Sequence, residues 1–149
     1  AHLIQARAAL AKGDLATAKT EFEIVAKRTN SAMTAEATYS LALIEYKLGN
    51  FKQSKEIVMK LNHITPSYDF WIAKGFILLG DDYVALADTF QAKETYKSIV
   101  QNYQRDPADP EDLRAIAQEK LSAIISFEEG RNKEMKKPEM MNDSLENEN

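Results

Sequence analysis

The chain has 149 residues, a net charge of −4, 44% apolar and 28% charged residues, and no cysteine. This length supports one core of ordinary size, and the missing cysteines exclude a disulfide framework, thiolate chemistry and sulfur-ligated metal. Four acids and no base fall in Pro138–Asn149, so the body balances 19 acids against 19 bases and offers no basic footprint for a nucleic acid.

Gly (5) and Pro (4) are scarce, which favours helix over a loop-rich β fold. A first helix is predicted over about residues 1–12 and a second over about 15–28, with a turn at Asn30–Ser31. A third is expected over about 33–48 and a fourth over about 51–63, ended by Thr65-Pro66 because proline disfavours a helical residue before it. The fifth, about 68–86, is apolar nearly all round (Phe70, Trp71, Ile72, Phe76, Ile77, Leu78, Leu79), as a helix buried between neighbours would be. Its apolar run, Phe70–Gly80, is too short to span a bilayer and contains Lys74.

A sixth helix covers about 89–103. The break at Asp106-Pro107-Ala108-Asp109-Pro110 then starts the last one, with Asp109 as N-cap and Pro110 at the first helical position. Leu113, Ile116, Ala117, Leu121, Ile124 and Ile125 give that helix an apolar stripe. Arg131, Lys133, Lys136 and Lys137 suit a solvated helix end, Pro138 stops it, and 138–149 reads as an acidic, disordered tail.

Three segments share one plan. Gly13-Asp14-Leu15 precedes Ala18 and Phe22; Gly49-Asn50-Phe51 precedes Ser54 and Val58; Ala87-Asp88-Thr89 precedes Ala92 and Tyr96. The turn positions 13, 49 and 87 are spaced by 36 and 38 residues, a period that points to stacked helical hairpins.

With small residues at Ala6, Ala42 and Gly80 and a closing Pro66, these units resemble the tetratricopeptide repeat (TPR) family. Glu45 departs from that pattern where an aromatic is expected, Ser54 where Ala is, and Ala87 where the turn Gly is. The third unit is also similar in style to repeats of bacterial envelope proteins. The resemblance implies an all-α, right-handed solenoid of about three hairpins (units about 1–30, 31–66 and 67–105) plus a capping helix at 109–137, forming one domain over 1–137. The first helix, with Leu3, Ile4, Ala8, Ala9 and Leu10, starts without a polar outer face. This suggests the C-terminal part of a longer repeat protein and self-association through that hairpin.

Catalytic chemistry finds no support. His2 and His63 are far apart in sequence and lack metal-ligand spacing; Gly75 and Gly80 have phosphate-loop spacing but are followed by Asp81-Asp82. Those two aspartates diverge by about 100° on a helix and do not converge as acid–base work requires. No catalytic residue, metal or cofactor is expected.

The resemblance implies instead a non-catalytic scaffold that binds a peptide or helix of another protein in a concave groove lined by the first helix of each hairpin. Carried over, that groove comprises Leu3, Arg7 and Leu10; Glu36, Tyr39, Leu43, Tyr46 and Lys47; and Lys74, Ile77, Asp81 and Val84. Arg7, Lys47 and Lys74 could meet a partner's carboxylates. Tyr39 and Tyr46, seven apart, either anchor a partner or pack on the next hairpin, while Trp71 reads as core. The clamp of members that bind a chaperone's terminal carboxylate is absent, because Leu3, Arg7, Ser40 and Leu78 stand at its positions and only Lys74 is kept. The alternative is a structural segment of a repeat array, with no separate ligand.

Overall fold

The computed structural model describes residues 1–28, 31–64 and 66–146, with side chains described as far as Lys136. Asn30, Thr65 and the last tail residues 147–149, which figure in the expectations above, lie outside the described residues. Among the described residues seven α-helices follow one another: α1 (His2–Lys12), α2 (Leu15–Ala26), α3 (Ala32–Lys47), α4 (Phe51–Lys60), α5 (Asp69–Ala85), α6 (Thr89–Asn102) and α7 (Leu113–Glu146). A 3-10 turn, Leu61–His63, extends α4, and no strand occurs among the described residues.

The three hairpin turns are built alike. Asp14 N–H donates to the Ala9 carbonyl (2.9 Å), Asn50 N–H to that of Glu45 (2.9 Å) and Asp88 N–H to that of Tyr83 (2.8 Å). The residue before each takes a left-handed conformation: Gly13 at φ 80°, Gly49 at 81° and Ala87 at 61°. This closure ties off the last carbonyls of one helix and turns the chain directly into the next. Asp14 and Asp88 then cap α2 and α6, accepting from Thr17 N–H (3.2 Å) and Gln91 N–H (3.1 Å). Ala87 holds a backbone that its Cβ disfavours. Ala87→Gly is therefore expected to raise the unfolding free energy by about 1 kcal/mol, read as a higher urea midpoint at unchanged slope.

Small and large residues interlock at matching positions of every hairpin. Ala6, Ala42 and Gly80 are buried in the first helices; Ala18, Ser54 and Ala92, then Phe22, Val58 and Tyr96, then Val25, Leu61 and Ile99 are buried opposite them. Among the described residues the apolar interior forms three clusters, each belonging to adjacent helices. Phe22, Ala18 and Ile44 sit in the first; Ala42, Val58 and Leu79 in the middle; Tyr96, Ile77, Leu113 and Leu121 in the last. α3 and α5 each pack on their own partner and on the hairpin before them, so the interior grows by stacking.

The start and extent of α7 differ from the sequence expectation. Its cap is Asp112, not Asp109: Asp112 Oδ1 accepts from Ala115 N–H (3.2 Å) and its carbonyl from Ile116 N–H (3.1 Å). Asp109 is drawn into the preceding turn, where Oδ2 accepts from the Tyr103 hydroxyl (2.5 Å) and Asp106 N–H (3.0 Å). The helix also runs past Pro138, where an end is expected from sequence, to Glu146. A proline inside a helix removes one N–H donor without having to stop it.

Candidate partner-binding face

Successive odd-numbered helices touch directly, α3 with α5 and α5 with α7, whereas contact between successive even-numbered helices is slight or absent among the described residues. The odd helices therefore line the tighter, inner face of the stack. Three polar links cross it. Arg7 of α1 pairs with Glu36 of α3 through two bonds (Nε–Oε1 2.6 Å, Nη2–Oε2 2.5 Å). Lys74 of α5 reaches Glu111 (2.6 Å), and its ammonium also lies 5.2–5.8 Å from the ring centroids of Tyr39, Trp71 and Phe70. Asp81 accepts from the Tyr96 hydroxyl (2.5 Å) and from Lys120 of α7 (3.0 Å).

These links change what the groove can offer. Arg7 and Lys74 are already matched by carboxylates of the same chain, so neither is left over for a partner's acid. Lys47 is exposed and has no ion pair among the described residues. Tyr39 is half-buried against Trp71 (centroids 5.7 Å), and burial pushes its hydroxyl's pKa up, keeping it a neutral donor. Tyr46 meets Phe51 edge-on (5.4 Å). Trp71 is itself half-buried on this aromatic cluster and is not among the buried core residues.

Of the other sequence-derived groove residues, Leu3 and Leu10 pack on the first core and Leu43 on the middle one. Ile77 is buried in the last core and is withdrawn from the surface. Ser40 and Leu78, assigned above to carboxylate-clamp positions, are buried too, so neither position can touch a ligand.

The open part of the inner face lies toward α7. Tyr46, Asp81, Lys120 and Ile124 line a furrow of about 340 Å³, which also touches Val84 and Ala123. The last two and Ile124 carry it into a groove of about 520 Å³ bounded by Phe127, Glu128 and Arg131. Val84 is 44% and Phe127 70% exposed. Lys120, Ile124 and Phe127 were not assigned to a groove from sequence, although their three-and-four spacing on α7 was readable.

A cleft of about 750 Å³ is on the outer side between α2 and α4, floored by Thr38, Leu41 and Glu45. It is open because Thr34 and Thr38 stand where Ile72 and Phe76 stand one repeat later, around a cleft of about 380 Å³. Acids and bases alternate on its rims (Lys19, Glu23, Lys27; Glu56, Lys60), and Lys19 bonds Glu45 at 2.8 Å. That bond, more than the opposing burial, holds the Glu45 carboxyl below the usual carboxylate range. The alternating signs favour no charged ligand.

Asp81 and Asp82 diverge as expected, one to Tyr96 and Lys120, the other to Ser54. Among the described residues no three His, Asp or Glu side chains gather to hold a metal, and no helix is long and apolar enough to cross a membrane.

No curated protein sequence matches the chain significantly. The profile of the tetratricopeptide repeat-like domain matches residues 1–126, from α1 into α7. The family is generally non-catalytic, and its domains generally mediate protein interactions. Repeated turns, interlocked small and large residues and stacked hairpins agree with that match, and the chain belongs to the tetratricopeptide repeat-like family.

Proposed function

We propose that this domain is a non-catalytic scaffold that seats a peptide or helix of another protein on its inner face, with Val84, Ile124 and Phe127 as the apolar anchor. The supporting observation is the division of that face. Its N-terminal part is closed by Arg7–Glu36 and Lys74–Glu111, while its C-terminal part leaves apolar side chains exposed beside a furrow. A partner is then recognised by apolar residues, with a polar rim contact to Arg131, more than by a carboxylate.

A structural reading has its own support. The residues of α3 and α5 that face the preceding hairpin, Ser40 and Leu78, are buried, and the matching residue of α1, Ile4, is 71% exposed. This face would take another helical hairpin, such as one from a second copy. A photoreactive amino acid placed in turn at residues 84, 127 and 4 separates the two readings. Adducts with a different protein at 84 and 127, weakened at least ten-fold by Val84→Asp with Phe127→Ser, support the scaffold. Adducts at residue 4 with copies of the same chain, and none at 84 or 127, overturn it in favour of the array.

A further inference from the structure

One buried acid is not explained by partner binding. Asp82 lies on the face of α5 that packs back on α4, and both it and Ser54 are fully buried. Asp82 Oδ2 accepts from Ser54 Oγ at 2.8 Å, and Oδ1 has no hydrogen-bond partner among the described residues. The repeat supplies an internal control. One unit earlier the matching positions are Ile44 and Ala18, both fully buried in one apolar core. A joint that is apolar between the first and second hairpins thus carries a carboxyl and a hydroxyl between the second and third.

The surroundings favour the neutral acid. On α4, Lys55 is the nearby cation, but its ammonium lies over the Tyr83 ring (4.6 Å). From α7, Lys120 is committed to Asp81, which adjoins Asp82 and repels its charge. Tyr46 from α3 and Tyr96 from α6 carry neutral hydroxyls, and that of Tyr96 donates to Asp81. An ionised Asp82 would have Ser54 as its one donor among the described residues, in a site without water access, whereas a neutral carboxyl loses far less on burial.

We propose that the joint between the second and third hairpins is a proton-operated latch, in which protonated Asp82 on Ser54 holds α4 against α5 and ionised Asp82 loosens them. Burial, reinforced by Asp81 and opposed by the Ser54 bond and Lys55, pushes the carboxyl up from 3.8 to about 6. Its value in the folded joint is therefore above that of the unfolded chain. The stabilisation is complete below the unfolded value near 3.8, declines as the pH rises, and is lost above about 6. Two pH units correspond to an approximately hundred-fold change in the joint's opening constant. Most carboxylates of a protein act in the opposite sense, since acid protonates them and weakens their pairs.

Native-state hydrogen exchange at the α4 and α5 amides, corrected for intrinsic rates, reads this opening directly from pH 4.5 to 7.5. Wild type is expected to open tens of times more often at the upper end, relative to Asp82→Asn over the same range. The variant Asp82→Ile with Ser54→Ala copies the first joint; it should be protected throughout and lack the wild-type pH term. Carbon-detected NMR should place the Asp82 midpoint near 6. A midpoint near 4, or parallel pH profiles for wild type and either variant, overturns the latch.

Discussion

Alanine at position 80 is expected to destabilise the domain by about 1–3 kcal/mol, and valine by more. An added Cβ would lie 2.3 Å from Tyr96 Cε1 and 2.7 Å from Cζ, closer than carbon atoms can stand. The ring cannot swing aside easily: Tyr96 is fully buried and its hydroxyl is tied to Asp81. The clash should outweigh the roughly 1 kcal/mol that Ala gains over Gly in a helix. The second hairpin indicates the remedy, since Ala42 there faces Val58 across the same joint. Gly80→Ala combined with Tyr96→Val should therefore recover stability relative to the sum of the single changes, because the two positions share one space. Denaturant midpoints of the four proteins test this. Strict additivity, or a harmless Gly80→Ala, would show that the interlock is not what fills the third hairpin.

That pairing was legible because it repeats: Gly13, Gly49 and Ala87 mark the turns, and the small and large residues recur at constant offsets from them. Features made by contacts across helices were harder to read. Arg7 and Lys74 were placed correctly on the first helices, but their partners Glu36 and Glu111 are 29 and 37 residues away, and nothing local announces the pairs. Asp109-Pro110 carries a good helix-start signal, yet Tyr103 and the Asp106 amide compete for the same carboxylate and leave the cap to Asp112. Asp82 was set aside because it diverges from Asp81. Its significance becomes visible only when it is aligned with Ile44 in the previous unit, where an aspartate stands at a position buried in apolar contacts. The outer cleft is a similar case, opened by two threonines whose counterparts one repeat later are Ile72 and Phe76.

Truncating Phe22 should produce the largest single loss in the first hairpin, and that loss should stay local. Phe22 is fully buried among Ala6, Ala9, Ala18, Val25 and Ile44, and the small alanines around it cannot reach into the space it leaves. Phe22→Ala is expected to cost about 3–5 kcal/mol, much of an ordinary domain's whole stability of about 5–15 kcal/mol. In a structure wrapped around one centre that cost would weaken every element together. Here Tyr96, Leu113 and Leu121 belong to a different cluster, with the middle core between them and Phe22. Stability in such a stack is carried by each unit and its contacts with its neighbours. Hydrogen exchange should therefore accelerate through α1, α2 and the adjoining face of α3, while α6 and α7 keep most of their protection. Equal loss in α1 and α6 would mean that the hairpins fold as one indivisible core, and the stacked organisation would have to be abandoned.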